Sequence, residues 1–368
     1  MASFQQNRSN SPASFLMNKK HTLMTVLLLG VLCLLVYIQV HAWKKFDWAT
    51  FWENTSHVHW TYIAGSVLLT YLAYALRAVR WRIFLKPLCE TTTKRMLAPQ
   101  FIGFAALALL GRPGEMVRPF LIARKEKLTF SSQVGVWLME RVFDLATVAV
   151  MFVIFAFRGD PLWNTLPNRR FPYEIHVAAV VFLAVIVVLA VIAIKLRKSG
   201  YQIANRWQRR FEPGSPTFAH ALHGRIVSFT DGLQIIRDGA SFLQLSVLSL
   251  AMWWVVAGAY WLLTHAYSGV LAEMGVGSLL VLMVAAMFGS LLQLPGVGGG
   301  SQLATINLLS SSKAFGIPAE IATSCGMLIW LCTFMSVIPM GLLLAHRERL
   351  SLRAVAEAEE KAEAQLSD

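Results

Sequence analysis

Six predominantly apolar stretches, at roughly 22–40, 61–79, 132–157, 175–194, 244–266 and 320–345, constrain this chain more than any other feature. Each is close to the ~20 residues that cross a hydrocarbon core as a helix. A membrane barrel would show shorter, alternating segments instead. With 56% hydrophobic and 14% charged residues and a mean hydropathy of +0.55, the 368-residue chain is also too apolar for a soluble globular protein of this length. The expected fold class is all-α: a polytopic membrane helix bundle. The first stretch follows Lys19 and Lys20 and ends near the weakly cleavage-like Val40-His41-Ala42. Its core of about 18 residues exceeds a signal-peptide core, so it reads as an uncleaved anchor.

Two further apolar runs are broken. One stops at Leu294, meets Pro295-Gly296-Val297-Gly298-Gly299-Gly300, and resumes from Leu303 to Leu309 without a charge in between. The other, Leu97 to Leu110, is cut by Gly111-Arg112-Pro113-Gly114-Glu115. Proline removes a backbone donor and glycine weakens helix, so polar backbone is freed where lipid offers no partner. Such backbone survives only against protein or a water-filled cavity, and a broken segment in each half points to a transport site.

The net charge of +13 is a topology signal rather than a sign of nucleic acid. Of the 33 Lys and Arg, three precede the first stretch, five lie in 80–96, five in 111–130, eight in 195–243 and four after 345. The opposite segments 41–60, 158–174 and 313–319 carry two, three and one, while Arg77 and Arg141 fall inside apolar spans. The positive-inside bias places both termini in the cytoplasm, with about six full crossings. Segments 97–127 and 277–312 then enter and leave on one side each, from opposite faces, as in an inverted repeat. Residues 1–18 read as a disordered cytoplasmic N-terminus, 20–346 as the membrane domain with halves 20–157 and 175–346, and 347–368 as a cytoplasmic tail. In the 195–243 loop, Leu222, Ile226, Phe229, Leu233 and Ile236 recur at helical spacing. This amphipathic helix is expected along the cytoplasmic interface, or as a lever between the halves. Trp43, Trp48, Trp52 and Trp60 form an interfacial belt or line a lipid's way in.

Charge inside the membrane marks the candidate site, since a central ionic residue costs about 2.5–3.5 kcal/mol on insertion scales. Glu140 and Asp144 share a helix face, Arg141 is three residues from Asp144, and Arg118 is three from Glu115. Glu140, Arg141 and Asp144 are either a self-neutralising cluster or the polar wall of a substrate cavity or a proton site, and Arg112, Glu115 and Arg118 are expected to join them around a lipid headgroup. The arginine fork suits a lipid phosphate. The glycine amides of the Pro295–Gly300 loop, before a short helix starting near Ser301, form a second anion-attracting element with Gln302 beside it. No strand precedes that loop and its spacing fits no nucleotide signature. His57, His59, His220 and His223 lack partners for a metal set, and Cys33, Cys89, Cys325 and Cys332 lack paired spacing. Neither a cofactor nor enzymatic activity is expected.

Three motifs in order resemble the transmembrane region of the lysylphosphatidylglycerol synthase family, whose members are described as flippase-like. They are Leu110-Gly111-Arg112-Pro113-Gly114-Glu115-Met116-Val117-Arg118, Glu140-Arg141-Val142-Phe143-Asp144, and Leu294-Pro295-Gly296 with Gly298, Gly299 and Gly300. The resemblance implies a domain that moves or accommodates lipids, sometimes fused to a cytosolic aminoacyl-transfer domain, which is not expected here. It departs where Gln302 replaces a glutamate and Trp330 an arginine usual in the family. The expected function is translocation or binding of an anionic phospholipid or polyprenyl-phosphate-linked lipid. The rivals are a non-transporting partner that presents lipid to a separate enzyme, and an intramembrane enzyme using Glu140 or Asp144 as acid or base.

Overall fold

The computed structural model describes residues 47–166, 168–233, 239–294 and 298–348. The expected N-terminal segment, the first apolar stretch, Trp43, Ile236, Pro295, Gly296, Val297 and all but the start of the tail lie outside them. From Phe51 onward the chain forms one compact unit.

Helix α1 (Trp48–Ser56) begins at Asp47, whose carboxylate accepts from the amides of Ala49 and Thr50 at 3.0 and 3.2 Å. It is followed by α2 (Trp60–Leu85), α3 (Thr93–Leu110), a 3-10 turn over Arg112–Met116, and α4 (Val117–Glu126). Helix α5 (Phe130–Arg158) is capped by Thr129, whose hydroxyl accepts from the Ser132 amide at 3.3 Å. Then come α6 (Phe171–Phe211), α7 (Pro216–Leu233), α8 (Gly239–His265), α9 (Val276–Gly289), α10 (Gly300–Ser310), α11 (Ala319–Trp330) and α12 (Val337–Arg347). Among the described residues the only extended pairing joins Gln293–Leu294 to Gly298–Gly299, two residues a side.

Four helical stretches are long and apolar enough to cross a membrane on length and composition: α2, α6, α8 and the run from Ala319 to Arg347. Helix α5 matches them in length, with Glu140, Arg141 and Asp144 in its middle. The main core lies where α5, α6, α8, α9 and α11 meet, around Phe152, Leu263, Leu280 and Cys325. Valines such as Val180, Val181 and Val188 on α6 remain exposed, as a face turned to lipid requires.

The stretch expected as a loop from 195 is helical at its start: α6 runs on past 194 to Phe211, and its 41 residues reach about 60 Å, twice the hydrocarbon thickness. The amphipathic α7 packs back on α5 and α6. A Cβ on Gly232 would stand 2.1 Å from the Ser132 carbonyl oxygen, so the α5/α7 crossing needs glycine there. Leu233 is buried against α5, and Thr230 packs on Gly200 of α6.

The run from Ala319 to Arg347 is also less regular than its apolar sequence implies. Residues Leu331–Met335 form a π-turn. Pro339, third residue of α12, has no N–H and its ring crowds the carbonyl four residues back, at Met335, which widens the preceding turn. Tyrosines of α2 use the loosened backbone: Tyr71 donates to the Ser336 carbonyl at 2.7 Å and Tyr74 to that of Thr333 at 3.1 Å.

Candidate functional site

Both broken segments are helical hairpins. Helix α4 returns along α3, with Leu121 packed among Ala98 and Ile102. The open ends of this first hairpin are joined by Arg95 and Glu126 at 2.8 Å. Its tip is made by Gly111, whose φ of 71° suits glycine, and by the 3-10 turn. In the second hairpin α10 returns along α9. Gly289 and Gly300 cross so closely that a Cβ on Gly300 would stand 2.0 Å from the Gly289 carbonyl oxygen. The two tips touch: Arg112 donates to the carbonyl oxygen of Ser290 at 2.6 Å and to its hydroxyl at 3.3 Å. Ser290 follows the last turn of α9, where the helix dipole favours a cation.

Beside the tips lies a buried ionic cluster. On α5, Glu140 and Asp144 are almost fully buried, one helical turn apart. Arg80 of α2 bridges them, donating to Asp144 Oδ1 at 2.6 Å and to Glu140 Oε1 at 2.9 Å, with the Ser249 hydroxyl of α8 accepting at 3.0 Å. Arg77, one turn earlier on α2, donates to Asp144 Oδ2 at 3.2 Å. Arg118 at the start of α4 clasps both oxygens of Glu140. Arg141 lies 3.4 Å from Glu140 Oε2 and 3.6 Å from Asp144 Oδ2. Trp253 Nε1 completes the shell of Asp144 at 3.1 Å. Arg112 pairs with Glu115 at 3.2 Å, and Arg141 also approaches Glu115 at 3.6 Å. Aromatic faces cover the cations: Phe104 stands 5.3 Å from Arg77 and 5.1 Å from Arg118, while Trp81 is 4.4 Å from Arg118.

Among the described residues, five arginines therefore face three carboxylates, a formal surplus of two positive charges. Isolated buried charge is costly, so such a surplus needs an anion or water. The fold supplies room for one. A cavity of about 220 Å³ opens between the cluster and the second hairpin, with Arg77 and Arg141 on one side and Ser301, Gln302 and Thr305 on the other. Thr333 and Phe334 of the π-turn and Trp330 close it.

The expected site residues are thus brought together, but in different roles. Of Arg112, Glu115, Arg118, Glu140, Arg141 and Asp144, only Arg141 lines this cavity. Glu140, Asp144 and Arg118 stand behind it as a support. Arg118 does not pair with Glu115: its partner is Glu140, and Arg112 takes Glu115. Pro295 and Gly296 lie outside the described residues. The backbones of Gly298 and Gly299 form the short pairing, and Gly300 starts α10. Gln302 lines the cavity while its Oε1 accepts from the Gly299 amide at 2.8 Å, a cap on α10.

Sequence reasoning missed Arg80, assigning it to a cytoplasmic loop, because the hydropathy falls at Arg77 although α2 runs on to Leu85. It also left Arg77 unassigned. A signal existed: Arg77 and Arg80 are three apart, one face of a helix, facing a pair of acids four apart on another. Ser249 and Trp253, at the same spacing on α8, carried no such signal.

No curated protein matches the chain. A family match covers residues 23–341, which takes in both hairpins, the arginine cluster and the cavity. The chain belongs to the family described as the lysylphosphatidylglycerol synthase TM region, and is a membrane protein of lipid metabolism or transport.

Proposed function

We propose that the protein carries an anionic phospholipid or a polyprenyl-phosphate-linked lipid across the membrane, holding the headgroup in the cavity between the hairpins. One observation carries this reading: a largely buried cluster with a formal surplus of two positive charges presents Arg77 and the partly exposed Arg141 to a half-open cavity. Guanidinium forks bind phosphate through paired, charge-assisted hydrogen bonds. The cavity of about 220 Å³ has room for a polar headgroup, and the acyl chains stay in the bilayer while the headgroup passes. Every oxygen of Glu140 and Asp144 faces at least one guanidinium, so these acids orient the arginines and are poorly placed for proton transfer or acid–base catalysis. We read the protein as a translocase and not an enzyme, with both termini cytoplasmic. Withdrawing Arg80 from the loop count leaves that charge bias in place.

The test is reconstitution in vesicles with tail-labelled phosphatidylglycerol and a membrane-impermeant quencher. Wild type should expose inner-leaflet label faster than empty vesicles, and Arg77→Gln with Arg141→Gln should return the rate to that baseline. Movement unaffected by the double substitution, or none in wild type, would sink the reading.

A further inference from the structure

We infer that the cavity selects headgroups that are anionic and bear no ammonium group, and that Gln302 is the residue that sets this preference. The inference rests on the cavity being the headgroup site and goes further, to which headgroups it admits. Among the described residues two arginines line the cavity, and no aspartate or glutamate does. The acids that balance those arginines lie behind them with their oxygens already engaged. Asp144 Oδ1 accepts from Arg80 and Trp253, Asp144 Oδ2 from Arg77, and both Glu140 oxygens from Arg118. Neither acid lines the cavity, where it could meet a ligand's cation.

The opposite wall continues the pattern. Among the described residues, Gln302 is the one cavity-lining side chain there with a carbonyl oxygen of its own, and that oxygen is held by the Gly299 amide at 2.8 Å. What Gln302 offers a ligand is its NH₂. Trp330 Nε1, on the same cavity, is a buried donor with no acceptor among the described residues. Thr305 donates its hydroxyl to the Ser301 carbonyl at 2.8 Å. A phosphodiester with a neutral polyol head meets donors on both sides. An amine-bearing head would place an ammonium beside Arg77 and Arg141 with no carboxylate among the described cavity-lining residues to pair with it, and exclusion by unpaired charge is a recognised source of specificity.

Gln302→Glu tests this with little disturbance, because a carboxylate also accepts from the Gly299 amide and keeps the cap on α10. Vesicles carrying wild type or Gln302→Glu are loaded with tail-labelled phosphatidylglycerol, its lysyl ester, or phosphatidylethanolamine. Wild type should move phosphatidylglycerol at least about tenfold faster than either amine-bearing lipid, the ratio equivalent to about 1.4 kcal/mol. Gln302→Glu should shrink that ratio by slowing the first and speeding the others. Equal rates in wild type, or a ratio unchanged by the substitution, overturn the inference while leaving translocation standing. If no lipid moves, translocation fails, and selectivity is read by displacement of labelled phosphatidylglycerol from detergent-solubilised protein. There, equal displacement by the lysyl ester, or absence of any bound lipid, overturns the inference as well.

Discussion

Removing an arginine and removing an acid from the cluster should not cost the same. Arg80 is completely buried and holds Asp144 and Glu140 at 2.6 and 2.9 Å. Arg80→Met deletes those pairs but lowers the positive surplus from two to one. Glu140→Gln deletes contacts to Arg80, Arg118 and Arg141 and raises it to three. Breaking a buried pair by removing one partner costs ~3–5 kcal/mol. Each additional uncompensated charge about 4 Å from a like charge adds up to ~4 kcal/mol at an effective dielectric of 20. Arg80→Met should therefore fall near the lower limit, ~3 kcal/mol, and Glu140→Gln at or above the upper, ~5 kcal/mol. At ~2 °C per kcal/mol for a chain of this size, thermal unfolding in detergent should shift down by about 6 and 10 °C. The double variant restores a surplus of two, so it should be less destabilised than the sum, with a coupling of ~2–3 kcal/mol. An Arg80→Met shift equal to or larger than that of Glu140→Gln, or strict additivity in the double variant, would refute the charge-surplus argument.

The contact between hairpin tips predicts access rather than stability, because the Arg112 side chain is 37% exposed and its pair is screened. In a background without Cys33, Cys89, Cys325 and Cys332, a single Ser301→Cys should react faster with an impermeant maleimide when Arg112→Ala is added. An unchanged rate removes the tip contact as a closure. Gly232→Val should force α7 off α5 at a cost of ~1–3 kcal/mol from overpacking, read as faster tryptic cleavage after Arg225. Equal cleavage would mean the crossing tolerates a side chain. Asp160, buried after α5, accepts from the Ser278 amide at 2.9 Å and the Leu162 amide at 3.1 Å. Asp160→Ala should cost ~1–3 kcal/mol by leaving those amides unpaired, measured as a lower unfolding temperature, and Asp160→Asn should recover part of it.

Sequence alone determined that this chain is a bundle of membrane helices, because length and apolarity of its segments leave no other way to satisfy the backbone in lipid. The same logic marked both interruptions and the acids of α5, since proline, glycine and ionic residues are costly in lipid wherever they fall. It even named Arg112, Arg118 and Arg141. Partners were another matter. Arg118 sits three residues from Glu115, a local spacing that invites pairing, yet it reaches Glu140, 22 residues on, because α4 folds back against α5. Arg80 looked like part of a basic loop, yet it is the centre of the cluster, since α2 runs on beyond its apolar stretch to Leu85 and buries Arg80 and Trp81 together. Which arginines face the cavity, and that Gln302 and Trp330 do, depends on how the two hairpins meet. Periodicity fixes the face of one helix, but which face meets which is decided by contacts far apart in the chain. Only the tertiary structure holds these.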